Sequence, residues 1–107
     1  MEEPNLEYVD LLAAGDAGFR ANFLEILKRE LPREAELYAE AIAGRDWQEA
    51  MQWVHKIKHK IGVLSLQQGY GLAQKHEENL RQGNAELHPD FENLLDSMQT
   101  FLNSTPV

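Results

Sequence analysis

Two histidines four residues apart, His55 and His59, stand in the segment WVHKIKHKIG (53–62), interleaved with Lys56, Lys58 and Lys60. A free imidazole has a reference pKa of about 6.5, so much of it is neutral at pH 7 and able to act as a nucleophile or a metal ligand. The i, i+4 spacing is that of paired ligands on a helix. Between these two histidines, however, the residues are KIK, without the glutamate of HExxH, and the flanking ammonium groups repel a cation. The same groups favour an anion. Lys58 lies one helical turn from His55, where it can neutralise negative charge held on the ring. Gly62, a poor helix former, follows one turn beyond Lys58 and leaves room for an approaching partner.

These residues need a helix to hold them on one side. Asp46 is placed to cap it, with Glu49 three residues on as the capping-box partner. Ala50, Val54, Ile57 and Ile61 recur at spacings of four, three and four, which makes them the inward stripe. Side chains step by about 100° per residue, so His55, Lys58, His59 and Gly62 fall to one side of that stripe. Met51 sits near it, with packing between helices and partner docking equally open.

The rest of the chain has the same periodicity. A short first helix carries Leu6, Val9, Leu12 and Ala13, with Asn5 as a cap and Gly15 as a stop. From Asp16 a long apolar series through Phe19, Phe23, Ile26, Leu27, Leu31, Leu37, Tyr38, Ala41 and Ile42 runs to Gly44. Pro32 predicts a kink near Leu31 or a division into two helices. A fourth helix is expected from near Ser65 through Tyr70, Ala73, His76 and Leu80 to Gly83. The last has Pro89 at its first turn and Phe91, Leu94, Leu95, Met98, Phe101 and Leu102 on one face. Strand alternation and internal repeats are absent from the pattern. The expected fold is all-α: an up-down antiparallel four-helix bundle with a short extra N-terminal helix, in a single domain over residues 1–107.

Composition narrows the function. With 107 residues, 43% of them hydrophobic and 26% charged, the chain has the makings of one globular core. A formal charge of −8 argues against nucleic-acid binding. Without cysteine there is neither a disulfide framework nor a thiolate site. No leader-like or membrane-spanning apolar run is present, so a cytoplasmic monomer is expected. A GxxxxGK[ST] loop is also missing, which removes the expected means of taking phosphate from ATP. His76 is expected on the core side as an interhelical donor, His88 in a cap region, and Trp47 and Trp53 at the core edge. The acidic pairs Glu2, Glu3 and Glu77, Glu78 are expected in solvent.

The segment VHKIKHKIGVLSL, with the layout of residues 19–58 upstream of it, resembles the histidine-containing phosphotransfer domains of two-component phosphorelays. The resemblance implies that His55 is the phospho-accepting histidine, that Lys58 stabilises its phosphoryl group and that Gly62 is a family glycine. His59 stands where the family usually has glycine, and with Met51 and Gly62 it belongs to the expected partner-binding or specificity surface. The implied protein is a phosphocarrier rather than an enzyme, without a cofactor of its own. Its partners would be response-regulator receiver domains, which bring their own Mg²⁺, and a hybrid sensor histidine kinase. His59 also motivates an alternative, an adaptor that binds a receiver or kinase without accepting phosphate.

Overall fold

Asp16 and Asp46 accept hydrogen bonds from the backbone N–H of Phe19 (3.0 Å) and Glu49 (3.1 Å), and so start the two longest helices. In a computed structural model, which describes residues 2–106, the helices are α1 (Glu7–Ala13), α2 (Ala17–Ala43), α3 (Trp47–Val63), α4 (Gln67–Arg81) and α5 (His88–Asn103). There is no strand among the described residues. α3 packs between α2 and α4, α5 lies against both α2 and α4, and α1 rests on α2. The core inside this ring includes Leu24, Leu31, Tyr38, Val54, Ile57, Ile61, Leu80, Phe91 and Met98. The predicted stripe of Ala50, Val54, Ile57 and Ile61 is wholly buried.

Four local expectations change. α2 runs as one helix through Pro32, so the division into two does not occur. Leu27 and Leu31 before the proline and Tyr38 after it are buried; that packing outweighs a missing backbone bond and ring clash of about 3 kcal/mol. The capping box is half formed, because the N–H of Asp46 donates to the Ala41 carbonyl (2.9 Å) instead of to Glu49. α4 starts at Gln67 rather than near Ser65, which closes α3 with a φ of 64°, in the left-handed region that favours glycine. Phe19 and Leu12, assigned inward by their spacing, are 44% and 43% exposed. The seven-residue α1 buries only Val9 and Ala13, leaving these side chains uncovered.

The N-terminus of α4 has no cap of its own. The Glu2 carboxylate serves it, accepting from the N–H of Gln68 (2.9 Å) and Gly69 (3.0 Å), while Asn5 N–H donates to the Leu64 carbonyl (3.1 Å). Glu2 is therefore a helix cap from 66 residues away, not a solvated acid. Gly69 is buried, and a Cβ there would lie 3.0 Å from Leu94 Cδ1 and 3.3 Å from both Ile61 Cγ2 and Leu66 Cβ. Its missing side chain allows α4 to approach α3 and α5. Gly71 faces open space.

Tyr38, His76 and His88 join α2, α4 and α5 through a polar network in the core. The Tyr38 hydroxyl lies 2.7 Å from His76 Nε2 and 2.7 Å from His88 Nδ1. One hydroxyl proton can serve only one of these nitrogens, so the other ring must donate to the Tyr38 oxygen. His76 Nδ1 is buried without a partner. An unpaired acceptor is milder than an unpaired donor at that position, which favours His76 Nε2–H donating to Tyr38 and Tyr38 donating to His88 Nδ1. The expected core-side, interhelical placement of His76 stands, with one ring nitrogen bonded and the other unpaired, and His88 proves to be a hydrogen-bond partner of Tyr38 as well as the first residue of α5. Burial, and secondarily His88 nearby, push His76 down to about 4.

Two stability predictions arise from these contacts. Gly71→Ala raises the unfolding free energy in urea by about 0.5–1 kcal/mol through helix propensity, whereas Gly69→Val lowers it by driving branched carbons into Leu94 and Ile61. His76 is neutral in the fold, but in the unfolded chain it takes a proton below about pH 6.5. Its contribution is thus complete above that pH and is lost as pH falls toward 4. The urea midpoint of the wild type drops between pH 7 and 5, and the drop is smaller in His76→Gln.

Candidate functional site

α3 presents His55 with 58% of its side chain exposed. The packed seam between α3 and α4 brings Glu77 beneath it. Glu77 Oε2 lies 3.1 Å from His55 Nδ1, and Oε1 lies 2.9 Å from Lys58 Nζ. Each carboxylate oxygen thus serves one group on α3. A carboxylate can only accept, so His55 Nδ1 carries a proton, and in the neutral form of the ring the lone pair is on Nε2, on a side chain open to solvent. Lys58 is sheltered, with 11% of its side chain exposed and Nζ 5.6 Å from the Tyr70 ring centroid. The site comprises an accessible nucleophilic nitrogen, a carboxylate that orients its ring and a nearby ammonium group.

The sequence pattern places Glu77 in solvent, whereas the structure sets it against His55 and Lys58. Its side chain is 16% exposed, while Glu78 is exposed and pairs with Arg81. A signal was present: Tyr70, Ala73, Glu77 and Leu80 follow spacings of three, four and three along the packed side of α4.

The lysine strip is less positive than its sequence suggests. Lys60 Nζ lies 3.0 Å from Glu30 and 3.0 Å from the buried Glu34, both on α2. The Lys60 hydrogen bond and charge hold the Glu30 carboxyl below its ordinary value. Lys56 is 4.0 Å from Glu34 and 5.5 Å from the Trp53 ring centroid. Every lysine of the strip therefore has a carboxylate near it, and an incoming anion meets partly neutralised cations.

The specificity candidates divide. His59 is exposed beside His55, its ring edge-on at 85° with centroids 5.5 Å apart. It also borders a depression of about 180 Å³ with Phe23, Ile26 and Val63. Gly62 is exposed in a second depression of about 350 Å³, with Tyr8, Ser65 and Tyr70. A Cβ on Gly62 would make ordinary contact with Tyr70 at 3.6 Å, so internal packing does not require glycine there. Met51 is half-buried and packs against the core, as do Trp47 and Trp53 at its edge. His55, Lys58 and His59 are thus brought together, Gly62 lies two turns along α3, and Met51 belongs mainly to the interior.

Removing the carboxylate tests this geometry. ¹⁵N NMR of the wild type at pH 8 is expected to show His55 with Nδ1 protonated, and in Glu77→Ala the ring is expected to shift toward the Nε2–H tautomer that free imidazole side chains favour. A Lys58→Ala, Glu77→Ala double-mutant cycle in urea gives a coupling above the ~0.2–1 kcal/mol of exposed ion pairs, since both partners are mostly buried.

Among the described residues, no helix is long and apolar enough to cross a membrane. Comparison with curated proteins and with solved structures returns no match. Residues 22–104 match the family model described as the Hpt domain, a span that runs from the first third of α2 beyond the end of α5 and includes His55, Lys58 and Glu77. An all-helical chain matched over most of its length, with an exposed histidine on a central helix, belongs to the Hpt domain family.

Proposed function

We propose that this protein is a phosphocarrier, which takes a phosphoryl group from a receiver-domain aspartate onto His55 and passes it to another. The observation that carries this reading is the exposed His55 ring with its Nδ1 tied to Glu77 and its Nε2 unencumbered. The Nε2 lone pair attacks the phosphorus of the aspartyl phosphate. A P–N bond forms as the P–O bond breaks, and the receiver's carboxylate leaves with the electron pair. The ring keeps its Nδ1 proton, and the positive charge that develops on it faces Glu77. Lys58 offers charge neutralisation to the phosphoryl oxygens. The reverse sequence returns the group to an aspartate.

Such transfer depends chiefly on in-line positioning and neutralisation of charge, with Mg²⁺ supplied by the receiver. The carrier needs neither a nucleotide site nor a metal of its own, and it is not a kinase. The proposed setting is the cytoplasm, as a single-domain monomer whose four long helices run up and down, with α1 as the extra N-terminal helix. A sensor kinase with its own receiver is a natural upstream partner. The adaptor alternative rests on His59. Its ring meets His55 edge-on and leaves more than half of the His55 side chain exposed, which favours the phosphocarrier.

Labelling with phosphoramidate or with phosphorylated receivers tests the proposal. Wild type acquires acid-labile, base-stable phosphate; His55→Gln acquires none, and His59→Gln retains it. Glu77→Ala lowers the rate by on the order of 10- to 100-fold through loss of ring positioning. Absence of label on both the wild type and His59→Gly would favour the adaptor.

A further inference from the structure

His59 has no task in the phosphotransfer chemistry, yet its ring stands one turn from the nucleophile on the same side of α3. Both histidines are exposed, and their rings meet edge-on at 85° with centroids 5.5 Å apart. Imidazoles at i and i+4 of a helix lie on one face and can share a metal ion. With Zn–N bonds of about 2.0–2.1 Å at a tetrahedral angle, the two ring centroids fall about 5 Å apart. The separation in the fold is close to that, so chelation asks for little rearrangement.

Free lysines would repel a cation here, but these lysines are paired. Lys58 is engaged by Glu77 at 2.9 Å, Lys60 by Glu30 and Glu34 at 3.0 Å each, and Lys56 lies 4.0 Å from Glu34. Three ammonium groups stand against three carboxylates, on a chain whose formal charge is −8. The local field therefore does not oppose a divalent ion. Glu77 contributes more directly. By accepting from His55 Nδ1 at 3.1 Å, it orients the ring, makes Nε2 the donor atom and raises its basicity, as the carboxylate behind a metal-bound histidine does. Ligand chemistry selects the ion: imidazole suits Zn²⁺, Cu²⁺ and Ni²⁺, whereas Mg²⁺ and Ca²⁺ take oxygen. Among the described residues no group of three or more His, Cys, Asp or Glu is placed to hold a metal, so α3 supplies two ligands and water completes the shell.

We propose that His55 and His59 form a two-histidine chelate for a divalent transition-metal ion of the Zn²⁺ class, and that the bound ion withholds His55 from phosphate. Nε2 of His55 donates its lone pair to the metal in place of a water ligand, and that pair is then unavailable to attack phosphorus. The ion is a reversible inhibitor, not a cofactor for transfer. The chelate stands on the geometry of α3 alone; its effect on phosphorylation rests on the phosphocarrier reading.

The test titrates the full chain with Zn²⁺ by calorimetry and follows the imidazole signals by NMR. Wild type is expected to bind one Zn²⁺ per chain, with the His55 and His59 signals shifting together and those of His88 unmoved. Either His55→Gln or His59→Gln weakens binding by at least about tenfold, through loss of the second, intramolecular ligand. Cu²⁺ binds more tightly than Zn²⁺ and Mg²⁺ leaves both rings unshifted. Saturating Zn²⁺ then slows phosphoramidate labelling of wild type by at least about tenfold, as occupancy of the nucleophilic nitrogen requires, while His59→Gln, compared with itself without metal, changes little. Equal Zn²⁺ affinity in wild type and both variants would mean an adventitious ion only, held by surface carboxylates or by His88 beside Glu92, and would overturn the chelate. One Zn²⁺ per two chains, with a Zn²⁺-dependent dimer in sedimentation, would overturn it too. Chelation by the pair without slower labelling would overturn the withholding of His55. Absence of label on metal-free wild type, with Zn²⁺ still bound through both histidines, would bring down the phosphocarrier reading and leave the chelate standing.

Discussion

One carboxylate has to reach two groups on a neighbouring helix. Glu77 can meet His55 Nδ1 and Lys58 Nζ together only if α4 lies close against α3 at that height. The sequence arranges this approach at the other end of α4, where Gly69 leaves no Cβ to strike Ile61 and Leu94. Glu2 caps the same turn, and Ser65 accepts a left-handed conformation so that α3 can end and α4 begin within a few residues. Eight residues of helix, about 12 Å, then carry the position set at Gly69 to Glu77. The site is exposed, but its geometry depends on a buried glycine.

The same constraint accounts for the electrostatics. A strip with three lysines could have been a diffuse attractor for anions, yet Lys58 is engaged by Glu77 and Lys60 by Glu30 and Glu34. Buried or half-buried ammonium groups need such partners, because an unpaired charge out of water is costly. On this account a phosphoryl group arriving at His55 competes with Glu77 for Lys58. Binding of stray anions is correspondingly suppressed, and the ammonium group is held one turn away from the nucleophile. On the proposed function, partner attraction rests on shape and on surfaces beyond the strip.

Much of this was legible in the residues. The core stripe of α3, the capping aspartates and the exposure of His55 follow from spacing and side-chain chemistry, because helix periodicity reports which face is dry. The departures arose where distant segments decide the outcome. Sequence spacing leaves Glu77 in solvent because its partners are 19 and 22 residues away on another helix. Glu2 looked like a solvated terminus and instead caps a helix late in the chain. Pro32 leaves open a division into two helices, and tertiary packing keeps α2 as one. His88 read as a cap residue until Tyr38 and His76 were seen beside it. Local pattern cannot contain these contacts; they exist only after the helices have chosen neighbours.

On the proposed function, Glu77 accepts a hydrogen bond from His55 Nδ1–H and so leaves Nε2 as the atom that receives phosphate. The direct measurement is NMR of the ¹⁵N-labelled, phosphoramidate-treated protein, reading ³¹P–¹⁵N coupling within the assigned His55 ring. Coupling to Nε2, with Nδ1 still protonated, is the predicted result. Coupling to Nδ1, or a phosphoryl group on His59 with the His55 ring unmodified, would contradict the account.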